Sequence, residues 1–186
     1  MRLLIFAMVI LFGAVSDARA EDKLFRNGDW GVSLRYDEEL FEPVPPDHQN
    51  SLLLLMSTDG SSANWELGLV RLKSGTVIPD NKIHEILSRT YTGKSAERNF
   101  SGFEIDNVDR IVRNGQPIVE ANLRFKTPKT PPPTIIQGVE AIQYATWHRY
   151  MLFQLTCTHS LNIGFLKRAL LRRNLYQMMD SIRFEK

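Results

Sequence analysis

The side chains in this 186-residue chain best suited to metal or nucleophilic chemistry are four histidines, His48, His84, His148 and His159, and one thiol, Cys157. No two histidines stand at a ligand spacing such as H-x3–5-H, and the H-E-x-x-H pattern does not occur. His48 follows Asp47 and His84 precedes Glu85. Adjacent residues on a helix or strand point apart, so neither pair is a ready chelate. His148 and His159 could approach each other as the ends of two paired strands, although nothing in the sequence sets that geometry. The spacing of Cys157 and His159 puts them on one strand face. A reactive thiolate needs an electropositive, polar pocket, and Cys157 falls on one strand face with Met151, Phe153 and Leu155, which points to a buried, inert thiol. Ser160 follows His159 without a G-x-S-x-G elbow. Asp106 and Asp109 are three apart on an expected strand and face opposite ways, so they read as solvated surface. The expectation is of no catalytic residue, no metal site and no cofactor, and of a protein that is not an enzyme.

Residue types suited to binding are better represented. Lys167, Arg168, Arg172 and Arg173 form a basic cluster on an expected C-terminal helix. That cluster reads first as a solvated helix face, and next as a surface for an acidic protein partner. The whole chain carries only +2, which argues against a nucleic-acid footprint. The stretch Thr127–Pro133 (TPKTPPP), with Pro131, Pro132 and Pro133, must be extended and exposed, in the manner of polyproline II. Trp147 and Phe103 are the aromatic side chains expected beside it as partner anchors.

The elements that position these residues are legible from periodicity. Trp30–Tyr36 alternates as a first strand. Pro43, Pro45 and Pro46 then end regular structure. Ser51–Ser57 (SLLLLMS) reads as a strand buried on both faces, and Asn64–Leu72 as its hairpin partner across an Asp59-Gly60-Ser61-Ser62 turn. Asp80–Thr92 carries a helical stripe of Ile83, Ile86, Leu87 and Tyr91, with Asp80 or Asn81 as cap and Gly93 as stop. Glu104–Arg113 leads into Asn114-Gly115, a strong hairpin signal. Pro117–Phe125 follows, with Val119, Ala121, Leu123 and Phe125 inward and Ile118 outward. Thr134–Trp147 and Tyr150–Thr158 pair as antiparallel strands across a break at His148–Arg149.

Phe165–Ser181 reads as a helix, with helix formers and no Pro or Gly. Leu171, Leu175, Met178 and Ile182 share one face. Phe165, Leu166, Ala169 and Leu170 lie nearly opposite, which predicts a bend or burial on both sides. Ile182–Lys186 can close as a short strand. Tyr150, Met151 and Leu152 could form an exposed edge for self-association.

Residues 1–20 read as a signal peptide rather than part of the fold. Arg2 gives a positive start, Leu3–Val15 an apolar run, and Ala18-Arg19-Ala20 a small-x-small cleavage site. The run is shorter than the ~20 residues of a membrane span. Residues 21–186 then make a single α+β domain near +1, in the periplasm or cell exterior.

This element order resembles the PsbP/DcrB-like family. Trp30–Phe41 (WGVSLRYDEELF) is similar to that family's opening strand, with Asp37 where Pro is usual. Tyr150–Thr158 (YMLFQLTCT) looks like its penultimate strand. Phe165 through Ser181-Ile182-Arg183-Phe184 looks like its closing helix and S-F-x-F strand, with Ile182 for the first Phe. The family includes an extrinsic subunit of photosystem II and a nuclear Ran-GTPase release factor. The resemblance implies an antiparallel sheet flanked by helices, an α/β/α sandwich. It also implies binding of partner proteins without a shared active site. Together with the export signal it points to an accessory, protein-binding domain. The alternative is a carrier of a small apolar ligand or lipid, with a pocket between helix and sheet.

Overall fold

The computed structural model describes residues 22–46, 48–126, 135–148 and 150–185. The expected signal peptide, Thr127–Pro133 and Arg149 lie outside these residues. Among the described residues there are ten strands and three helices in two antiparallel sheets.

The larger sheet has seven strands. Its order in space is Phe41–Val44 (β3), Ser51–Ser57 (β4), Asn64–Arg71 (β5), Met151–Ser160 (β9), Ile135–His148 (β8), Gln116–Lys126 (β7) and Phe103–Arg113 (β6). A smaller sheet joins Asp22–Asn27 (β1), Val32–Asp37 (β2) and Arg183–Phe184 (β10). The helices are Asp80–Arg89 (α1), Gly93–Asn99 (α2) and Phe165–Ser181 (α3).

Each face of the large sheet is covered differently. On one face, α3 and the small sheet bury Val32, Leu34, Leu171, Leu175 and Met178 against Ile142, Tyr144, Leu155 and Cys157. Phe41 stacks on Trp65 at 3.8 Å within the same core. On the other face, α1 lays Ile83 and Leu87 over Val119, Ala121, Ala141 and Ala145. Each Val, Leu, Ile or Met side chain so buried contributes on the order of 2 kcal/mol. The outward positions of β4, β5 and β9 on this second face include half-buried Leu54, Glu66, Gln154 and Thr156 and the exposed Val70.

Several expectations need correction. In β4, Ser51, Leu53 and Leu55 are buried while Leu52, Leu54 and Met56 are half-buried, so this strand is covered on one face only. Ile118 is fully buried rather than outward, because α3 and the small sheet close the face it lies on. Pro43 sits inside β3 opposite Leu55, where an edge strand tolerates a missing donor. The cap position of α1 is Pro79, with no side-chain bond, and Asp80 lies in the first turn. β9 runs between β5 and β8 and Leu152 is buried, so Tyr150–Leu152 is not an edge. The final strand pairs with β2 in the small sheet.

The Asn114-Gly115 hairpin forms as read, with φ of 51° and 76°. Both values lie in the left-handed region that a type I′ turn requires.

Candidate functional site

α3 spans Phe165–Ser181, the range its composition predicts, but its charges run against its own dipole. Its first turn holds no acidic residue, while Lys167 and Arg168 stand there. Cations beside the positive end of a helix are unfavourable, so these side chains need counter-charges from elsewhere. They find them on the sheet and on the β4–β5 turn. Lys167 Nζ lies 2.5 Å from Asp59 Oδ2. Against the desolvation of its position, the bonds from Lys167, Ser57 and Ser61 hold the Asp59 carboxyl well below the usual range. Arg172 contacts Glu140 on β8 and lies 3.6 Å from Glu120 on β7. Arg168 lies 3.6 Å from Glu140 and donates to the Leu161 carbonyl at 2.5 Å. The Tyr176 hydroxyl donates to Glu120 at 2.9 Å, and the Arg113 guanidinium covers the Tyr176 ring at 3.5 Å.

Beneath this network Glu140 and His159 are each only 1% exposed. They are cross-strand partners on β8 and β9. His159 Nδ1 donates to its neighbour's carbonyl, Ser160 O, at 3.1 Å, and Nε2 lies 3.2 Å from Glu140 Oε2. Two influences compete at this ring. A carboxylate favours the imidazolium, whereas burial and the Arg168 charge lower the imidazole pKa, the Ser160 carbonyl only partly opposing them. Burial is the largest of these influences, and the net shift is downward. The cluster thus ties the helix to the sheet.

The other candidates for chemistry are dispersed. Cys157 is buried against the Trp65 indole N–H, and burial pushes its thiol well up. His148 stacks on Phe184 at 4.7 Å. It pairs with Met151 at one end of the β8–β9 hairpin, while His159 pairs with Glu140 near the other, so the two histidines do not meet. Asp106 pairs with Arg124, and Asp109 accepts from Asn107. Among the described residues no cluster of three or more His, Cys, Asp or Glu can hold a metal.

Trp147 and Phe103 do not share a surface. Phe103 is 37% exposed and packs edge-on against Phe125, near the chain ends that lead into Thr127–Pro133. Trp147 is half-buried against the α1 core and pairs with Leu152 at the opposite end of β8. Phe125 aligns with Gln137 on β8, so ten residues, roughly 33 Å of strand, separate the two aromatic positions. Pro131, Pro132 and Pro133 lie outside the described residues.

The one continuous surface the helix does present is its outer face. Phe165 is 81% exposed, Leu166 82% and Leu170 41%. Ala169 and Arg173 are exposed between them. The expected burial on both sides of α3 does not occur. The buried stripe of Leu171, Leu175, Met178 and Met179 fills the space against the sheet, and nothing among the described residues covers the second stripe. Of the four basic residues, Arg173 alone faces outward without an ion-pair partner among the described residues.

The second apolar stripe was visible in the sequence, where it reads as a sign of a bend or of burial on both sides. The inward turn of Arg168 and Arg172 was not. Their partners Glu120 and Glu140 stand on strands that no local pattern connects to the helix.

No family model and no curated protein sequence matches the chain. Solved structures do. Cyanobacterial PsbP (CyanoP) from Synechocystis aligns over 94% of this chain and 99% of its own, at 10% identity and TM-score 0.57. A Bacteroides thetaiotaomicron protein aligns over 88% of this chain and 48% of its own, at 12% identity and TM-score 0.55. The Saccharomyces cerevisiae Ran-binding protein Mog1p aligns over 89% of this chain and 96% of its own, at 10% identity and TM-score 0.51. At such identities the likeness is one of fold. The large antiparallel sheet with its flanking helices is therefore a PsbP/Mog1-like α+β fold.

Proposed function

We propose that this chain is an exported, non-enzymatic accessory protein of the periplasm or cell exterior. In this reading it docks onto another protein through the outer face of α3. The observation that carries the reading is the adjacent pair Phe165 and Leu166, each more than four-fifths exposed on a helix whose other apolar stripe is buried. Leaving two large apolar side chains in water forgoes about 1.5–3 kcal/mol each relative to burial. A partner that covers them recovers that energy. From Leu161 to Met179 the chain has no acidic residue, and Arg173 stands exposed within the apolar stripe. The complementary surface is therefore apolar with a carboxylate placed to meet Arg173. Export is supported by the pattern of residues 1–20, and partner binding by the fold shared with Mog1p, a Ran-binding protein. Fold likeness alone does not carry a partner across.

The test places a photo-crosslinking side chain at Ala169 in the mature protein within its native envelope. One recurring protein is expected, and its purified form should bind the mature chain. The F165S/L166S variant should weaken that binding at least tenfold. If the variant binds the captured protein as well as the parent does, or if no protein recurs, the outer face of α3 is not the docking surface.

A further inference from the structure

We propose a second, separate binding site, for a neutral polyhydroxylated ligand of saccharide type, on the half of the large sheet that no described helix or sheet covers. A cleft of about 320 Å³ opens there, within the lower range of ordinary ligand sites. Its floor is set by strand register. Glu66, Thr156 and Gln143 form one row across β5, β9 and β8, and Gly68, Gln154 and Ala145 form the next. The second row is low at both ends, because glycine and alanine stand there, so a depression forms beside a polar ridge. The His48–Asn50 turn makes one wall. The Asn50 carbonyl accepts from the Leu69 N–H at 2.8 Å, which fixes the turn to the strand. His48 Nε2 lies 2.8 Å from Glu66 Oε1.

An independent observation marks the cleft as built for a ligand. Gln143 is only 8% exposed, and its Oε1 has no hydrogen-bond partner. Its Nε2 donates to Thr156 Oγ1 at 3.2 Å. Flipping the amide exchanges the two roles and still leaves one polar atom unpaired. A buried amide atom without a partner costs about 1–3 kcal/mol. That atom has almost no accessible surface, so a ligand hydroxyl pairs with it once the side chain turns toward the cleft that it lines.

The lining groups decide the chemistry. Hydroxyl and carboxamide groups dominate, and each can match a group that both donates and accepts. An anion would face the Glu66 carboxylate. A cation would find that carboxylate already engaged by His48. An apolar ligand would strand the amides of Gln143 and Gln154. Hydroxyls satisfy all of these groups at once, and the exposed Val70 beside the cleft offers an apolar edge for the C–H face of a sugar ring.

The test is NMR on the 15N-labelled mature protein. The side-chain amide signals of Gln143, Gln154 and Asn50 are followed during titration with glucose, N-acetylglucosamine, maltose and cellobiose. Inorganic phosphate and spermidine serve as charged controls. At least one saccharide should shift the Gln143 and Gln154 amides saturably, and the charged controls should not. Gln143→Met keeps the side-chain length and removes both polar atoms. It should raise the dissociation constant at least tenfold while leaving the thermal midpoint unchanged or higher, since it removes an unsatisfied buried group. A residue kept only for packing would show the opposite pattern, a lower midpoint with binding intact. That pattern overturns the site, as does a failure of every saccharide to move these amides at millimolar concentration, or an equal response to the charged controls.

Discussion

His159 is a buried imidazole whose surroundings favour the neutral ring. Its pKa in the folded protein lies below the ordinary value of 6.5, chiefly through burial and then through Arg168. In the unfolded chain the ring returns to that ordinary value. As pH falls through about 6.5, the unfolded state therefore takes up a proton that the folded state refuses, and stability drops. Above this window the contribution is fully present. We expect the urea midpoint of the parent to fall between pH 7 and pH 5, and H159N to lose most of that slope. A parent slope unchanged by the substitution would place the responsible group elsewhere. Glu140 has the complementary role. Glu140→Gln leaves Arg168 and Arg172 without their shared counter-charge. Both arginines are about one-third exposed, at 32% and 37%, so they can turn partly to water. The expected loss is about 2–3 kcal/mol by urea unfolding, below the usual penalty for a wholly buried pair.

At the scale of one element, α3 depends on a close approach just ahead of it. The Leu161 N–H donates to the Gly138 carbonyl at 2.7 Å, and a Cβ at Gly138 would meet Leu161 Cδ1 at 2.5 Å. Gly138→Ala must push Leu161 away, and with it the carbonyl that holds Arg168. The expected cost is about 1–3 kcal/mol, read as a lower thermal midpoint, with faster amide exchange in the first turns of α3. By contrast F165S/L166S removes no contact within the fold and should change stability by about 0.5 kcal/mol or less. A large loss there would mean that a segment outside the described residues packs on that face. The limits of α3 were readable because propensity and the Leu171–Leu175–Met178 spacing agree. The roles of its cations were not, because charge pairing across an interface has no periodicity within one element. Gln143 was hidden for a related reason: it sits in a strand that reads simply as apolar and β-branched, and only the register with β9 and β5 shows what surrounds it.

At the scale of the whole molecule, the sequence carried the class of fold, the long central strands and the closing helix. The elements it did not reveal are those with weak local signals. β1 (DKLFRN) is a polar edge strand with little alternation, and α2 has no buried residue. β3 holds a proline that read as a stop. The separation into two sheets was equally hidden, since it depends on β10 returning to β2 across the length of the chain. That return can be tested by deletion. A chain ending at Ile182 loses the Arg183–Ser33 and Phe184–Val32 pairing, the Glu185 N–H bond to Gly31, and the packing of Phe184 on Phe153. It should unfold at a markedly lower denaturant concentration, and retention of the parent midpoint would show the small sheet to be dispensable.

The same closure sets an order of events for a newly made chain. β2 emerges among the first residues, yet its completely buried Val32 and Leu34 await a helix and a strand encoded at the far end. Any process that delivers the polypeptide from its amino terminus must therefore hold these side chains unsatisfied until α3 and β10 have been delivered. Such a late-closing topology makes folding slow and leaves a long interval in which a chaperone or a protease can act. Arg183, Phe184 and Glu185 work as a latch, and the chain remains a substrate for quality control until they arrive.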